Sequence, residues 1–169
     1  NRLSDHGRRE EALAAAQEAA ELYRALARAR PEAFTPNLAM SLNNLANRLS
    51  DLSRREEALA AAQEAAELYR ALARARPEAF TPDLAVSLNT LAKALSGLGR
   101  HEEALAAAQE AVGLCDTLAQ ARPEAFTAHL ASALNTLANC LGYAGRVDEA
   151  FDAALQADGM FRALAGPRR

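Results

Sequence analysis

Asn43, Asn89 and Asn135 recur 46 residues apart in near-identical settings, "SLNNLA", "SLNTLA" and "ALNTLA". An asparagine side chain carries a donor and an acceptor together, so one amide can pair with both backbone groups of an extended peptide. A ladder of such amides at a fixed interval would hold a peptide's main chain with little regard to its sequence, while neighbouring side chains add selectivity. A second position with the same period holds Asn47, Lys93 and Asn139, and Tyr143 supplies an aromatic ring beside the last of them. The same amides would serve equally as hydrogen bonds between adjacent helices, or as solvated surface spread by duplication. Asparagine is a mediocre helix former, so its place among leucines and alanines calls for a reason.

Other residue types offer less. His6, His101 and His129 occupy different repeat positions and share no ligand spacing, which argues against a metal or catalytic role; no cofactor is implied. Cys115 stands where earlier copies have Tyr23 and Tyr69, on an apolar stripe, and reads as a small core filler. Cys140 aligns with Arg48 and Ala94, an outward or edge position, and is expected to be exposed and oxidisable without being functional. Two cysteines this far apart give neither a disulfide framework nor a zinc site. The pairs Glu10-Glu11, Glu56-Glu57 and Glu102-Glu103 resemble acid/base carboxylates, but their place at helix starts makes them partners of the helix dipole. Arg70, Arg74 and Arg76 answer them at a helix end, as solvated dipole partners or as a basic strip for an acidic peptide.

The elements that must position these residues are helices. The chain has 169 residues, half of them hydrophobic, with 5% aromatic and no tryptophan, so the apolar content is mostly alanine and leucine. That is the composition of closely packed helices. A net charge of −3 argues against a sequence-independent grip on nucleic acid, which needs clustered Lys and Arg. No apolar run approaches the roughly 20 residues that span a bilayer. Beginning at Asn1, inside a repeat, the chain reads as a piece of a longer protein. Its reduced thiols and alanine–arginine bias lean towards a cytoplasmic, bacterial origin.

"ARARPEAFTP" occurs at 27–36 and 73–82, and "QARPEAFTA" at 120–128, so Pro31, Pro77 and Pro123 set a 46-residue period. The organisation read from it is one array over 1–169: a partial repeat 1–36, repeats 37–82 and 83–127, and a C-terminal repeat or cap 128–169. Each unit reads as two helices. The first is expected to start after Thr35-Pro36, with threonine as N-cap and proline at the first helical position. Leu38, Leu42, Leu45 and Leu49 mark its buried face, with Met40, Asn43 and Asn47 roughly opposite. A break follows near 51–54, where Ser53 stands in place of Gly7, Gly99 and Gly145. The second helix carries an apolar stripe of Ala58, Ala62, Ala65, Tyr69 and Leu72, small enough for close approach of a neighbour. "PEAFTP" is expected as the connector, with Phe80 tucked between helix ends. In the last copy Asp152 and Asp158 interrupt the seam, which suits a soluble cap.

The spacing of Leu42, Leu45-Ala46, Leu49, Ser53, Ala58, Ala62 and Ala65, repeated from Leu88 and from Leu134, resembles the tetratricopeptide repeat signature. The long unit and "SLNNLA" are similar to its kinesin-light-chain type. The resemblance implies an all-α, right-handed α-solenoid of antiparallel helix pairs whose first helices line a concave groove. It further implies a non-enzymatic scaffold that binds a protein or peptide there, with Asn43, Asn47, Asn89, Lys93, Asn135, Asn139 and Tyr143 as the contacts. Such arrays also occur as sensor segments of signalling ATPases and caspase-like proteases. A self-assembling or engineered scaffold is the remaining alternative. An exposed alanine–leucine face on the N-terminal repeat is a candidate surface for homo-oligomers.

Overall fold

The computed structural model describes residues 2–166, with side chains from Gly7 onward; His6 therefore lies outside the described side chains. The chain is all-α. Among the described residues seven helices follow one another: α1 (Arg2–Ala29), α2 (Pro31–Asp51), α3 (Arg55–Ala75), α4 (Pro77–Gly97), α5 (His101–Ala121), α6 (Pro123–Tyr143) and α7 (Val147–Ala165). They fall into two compact units, Asn1–Phe80 and Thr81–Arg169. In the first, α2 packs against both α1 and α3; in the second, α6 packs against both α5 and α7.

Two kinds of joint set the 46-residue period. Arg30, Arg76 and Arg122 are single-residue links with φ near −141° or −142°. A following proline disfavours the α conformation in the residue before it, which ends one helix and lets the next begin at once. The other joint is a three-residue turn. Arg54, Arg100 and Arg146 donate their backbone N–H to the carbonyls of Leu49, Leu95 and Leu141 at 2.9–3.0 Å. That six-residue closure needs a left-handed residue in its middle: Ser53 at φ 59°, Gly99 and Gly145 at φ 76°.

The helix starts differ from the expected ones. Pro31, Pro77 and Pro123 open α2, α4 and α6, so "PEAFTP" is the first helical turn and a half rather than a connector. Proline at the first helical position gives up no intrahelical bond. Thr35 and Thr127 are not N-caps; each turns its Oγ1 back to donate to the carbonyl four residues earlier, Pro31 or Pro123, at 2.6 Å. Pro36 and Pro82 consequently sit inside α2 and α4. The first helices therefore begin about a turn and a half before residues 37, 83 and 128. Phe80 is half-buried, and the Arg76 guanidinium lies 4.8 Å over its ring; Arg30–Phe34 and Arg122–Phe126 repeat the arrangement at 5.2 Å.

The second helices pack through alanine. Ala58, Ala62, Ala65, Ala104, Ala108 and Ala111 are all 0% exposed, and a methyl side chain lets a neighbouring helix approach closely. Leucines of the first helices fill the remaining space, Leu42 and Leu88 most completely. Each contributes about 1.5–3 kcal/mol of burial. The first-turn glutamates also find specific partners. Arg54, Arg100 and Arg146 grip Glu57, Glu103 and Glu149 three residues on, through both guanidinium and carboxylate atoms. Those hydrogen bonds hold the three carboxyls below their usual range.

Candidate functional site

On a wheel of about 100° per residue, the buried residues of α2 run from Ser41 through Leu42 to Asn43, an arc of about 200°. Asn43 therefore sits at one edge of the buried arc, not opposite it, and is only 8% exposed. The leucines mark only the middle of this arc, because a first helix is covered on its flanks as well. Met40 and Asn47 do face outwards.

The three equivalent amides differ. Asn43 is buried. Asn89 is half-buried: its Nδ2 donates to Ser132 Oγ of α6 at 3.5 Å, and its Oδ1 is enclosed without a hydrogen-bond partner. Asn135, on α6, is exposed. Within the second unit this position on α4 faces α6, so Asn89 meets Ser132, while among the described residues no first helix follows α6 to cover Asn135. Of the two readings of the amide row, Asn89 thus takes the inter-helix bond. The neighbouring position behaves uniformly, with Asn47, Lys93 and Asn139 all exposed.

Within the second unit, four of these residues converge. Lys93, Asn135, Asn139 and Tyr143 line a cavity of about 380 Å³ between α4 and α6, completed by Ser96, Gly97, Thr136 and Cys140. Lys93 is its only formally charged wall. Asn135 and Asn139 are spaced by one turn, which places both amides along the same side. Tyr143 at the C-terminus of α6 is 65% exposed and stacks on the His101 ring, 5.2 Å between centroids with a 16° tilt. The stack gives the phenol ring a fixed platform at the first turn of α5. Asn43 and Asn47 lie in the other unit and take no part in this cavity.

Cys140 corrects one expectation. It is 1% exposed rather than outward, because its side of α6 faces α4 across the cavity wall. Its equivalent Arg48 is exposed on α2, which has no first helix before it among the described residues. Cys115 is buried as a core filler, 2% exposed. Burial raises both thiols, Cys115 to about 11. Ser96 and Thr136 were not expected as contacts, although Ser96 lies one turn from Lys93 and Thr136 stands beside Asn135. His101 was weighed in the sequence only for a metal or catalytic role; its stacking on Tyr143 has no local signature. Among the described residues no cluster of three His, Cys, Asp or Glu is placed to hold a metal ion.

Pairs of antiparallel helices with a regular row of exposed polar side chains on the first helix of each pair define a helical-repeat protein. Residues 38–73 and 84–115 match the model of the tetratricopeptide repeat family, each match running along one helix pair. Repeats of this family act in protein–protein interaction. Among solved structures, the crystal structure of BtubC (BKLC) from P. vanneervenii covers 95% of this chain and 95% of its own at 18% identity, with a TM-score of 0.28. No curated protein matches the chain. No helix among the described residues is long and apolar enough to cross a membrane.

Proposed function

We propose that the chain is a non-enzymatic interaction module and that the cavity between α4 and α6 receives a segment of a protein partner in extended form. The observation that supports this most is the convergence of Lys93, Asn135, Asn139 and Tyr143 on one cavity. Two amides one turn apart offer paired donors and acceptors to a main chain. Lys93 favours a carboxylate or carbonyl at one end, and the Tyr143 ring, backed by His101, offers an apolar face to a side chain. Asn47 holds the equivalent exposed position in the first unit. Asn43 and Asn89 are supports of the helices in this reading, not rungs.

Selection of peptides from a displayed library against the whole chain tests it. Selected peptides should lose about tenfold or more in affinity on Asn139→Ala and on Tyr143→Ala, the range expected for central contacts, and little on Asn43→Ala. Equal affinity across all three variants would exclude this cavity as the binding site.

A further inference from the structure

The C-terminal end of α6 departs from that of α2 in three residues at once. In the first unit, Arg9 Nη1 of α1 donates to the backbone carbonyl of Asp51 at the end of α2, at 3.5 Å, and Arg55 opens α3. Two repeats on, the equivalents of Arg9, Asp51 and Arg55 are His101, Tyr143 and Val147. Two arginines are gone, and the carboxylate between them has become an aromatic ring. The acids that followed those arginines are kept: Glu10 and Glu56 become Glu102 and Asp148. Neither Glu102 nor Asp148 has a hydrogen bond or ion pair among the described residues. Arg100 and Arg146 are committed instead to Glu103 and Glu149.

Exposure at this end belongs to the repeat position and not to the last helices alone. Asp51, Gly97 and Tyr143 are all exposed, as are Glu56, Glu102 and Asp148, although α2 and α4 are each followed by a further helix pair. Tyr143 lies with one face on the His101 ring, centroids 5.2 Å apart and 16° from parallel. It is nevertheless 65% exposed, so its other face is open. His101 supplies the stack with a ring face, while its Nδ1 is enclosed without a hydrogen-bond partner. An open phenol face attracts a cation through the ring quadrupole. The C-terminus of α6, where Tyr143 is the last residue, favours positive charge at the same place. Glu102 and Asp148 add two full negative charges in the first turns of α5 and α7. Lys93 stands further in: it is the repeat equivalent of Asn139, one turn before Tyr143. Charge along the cavity therefore runs from positive at Lys93 to negative at Tyr143.

We infer that Tyr143, stacked on His101 and flanked by Glu102 and Asp148, is the seat for a basic side chain of the extended segment held between α4 and α6. The seat rests on the reading of that cavity as a binding site and adds the chemistry of the partner: an arginine or lysine beyond the stretch that Asn135 and Asn139 hold. Arginine suits it best, because a planar guanidinium lies flat on an aromatic face.

Peptides selected from a displayed library on the whole chain should share a basic position. Replacing an arginine there by citrulline, its uncharged isostere, should weaken binding about fivefold or more on wild type, read by fluorescence anisotropy. On Tyr143→Leu the same replacement should cost about twofold at most, because the ring beneath the guanidinium is gone. His101→Arg, the residue of both earlier repeats, should lower affinity for the arginine peptide more than for the citrulline peptide, whereas His101→Phe keeps a stacked ring and should not. Glu102→Gln with Asp148→Asn should shrink the advantage of arginine over citrulline, most at low salt. Peptides that depend on Asn139 and Tyr143 yet share no basic residue overturn the seat and leave the cavity standing. So does a citrulline penalty that is the same on wild type and on Tyr143→Leu. Peptides indifferent to Asn139→Ala and Tyr143→Ala alike overturn the cavity as the binding site, and the seat with it.

Discussion

At the scale of single residues, one repeat position carries the same amino acid three times and puts it in three environments. Asn43 is buried, Asn89 is bonded across to Ser132, and Asn135 is exposed. The bond from Asn89 is at the outer limit of length, its Oδ1 is enclosed without a partner, and alanine is the better helix former by about 0.6 kcal/mol. A buried acceptor left without a partner costs about 1–3 kcal/mol, so Asn89→Ala should raise stability by about 0.5–1 kcal/mol, read from urea denaturation. A loss of stability would show that the Ser132 contact outweighs the enclosed carbonyl. The thiols give a second prediction. Cys115 is raised by burial from 9.0 to about 11, so the folded state favours its neutral form. That contribution is complete below pH 9, and it disappears as pH rises from there through 11. Thermal stability should fall across that window, and Cys115→Ala should flatten the fall. Sequence periodicity found the amide row but not its fate. The leucines reveal the centre of a helix's buried arc, whereas the arc's width depends on what packs at each flank.

Among the elements, the turn between paired helices was legible, because glycine at 99 and 145 marks a left-handed residue and Ser53 aligns with both. The helix starts were misplaced because proline suits the first helical position at Pro31 and Pro36 alike, and only the link geometry decides between them. The third copy contains the clue: Ala128 replaces the second proline, and α6 has the same length as α2 and α4. An interior proline forfeits one backbone hydrogen bond and crowds the preceding turn. Pro82→Ala should therefore stabilise the chain by about 1–3 kcal/mol without shifting the start of α4. Ser53 holds φ 59°, a conformation that costs a residue with a Cβ roughly 1–2 kcal/mol and glycine almost nothing. Ser53→Gly should stabilise by about 1 kcal/mol, and Gly145→Ala, at φ 76°, should destabilise by a similar amount. Calorimetric melting of the three variants checks all of these; a Pro82→Ala variant that melts lower would mean that the proline shapes α4 in a way its sequel Ala128 does not need.

For the molecule as a whole, stability in a repeat protein is built from neighbour contacts, so each helix is as protected as the helices on either side make it. The two helices of the C-terminal pair differ sharply in this respect. Along α6, eight residues are buried, leucines among them, with α5 on one side and α7 on the other. Along α7 only two are buried, both alanines, which contribute far less apolar area than leucine. α7 ends at Gly166, whose φ is 68°, and its last turn carries no buried residue. Local opening of α7 exposes little, so it should cost much less than opening α6, which would also uncover Leu141 and Ala138 and the Leu105 that packs on them. Amide hydrogen exchange should accordingly show α7 exchanging ahead of α6, with their opening free energies separated by about 2 kcal/mol or more. Uniform protection of both helices would mean that the C-terminal pair opens only as a unit, and that the few alanine contacts of α7 are as strong as the leucine core of α6.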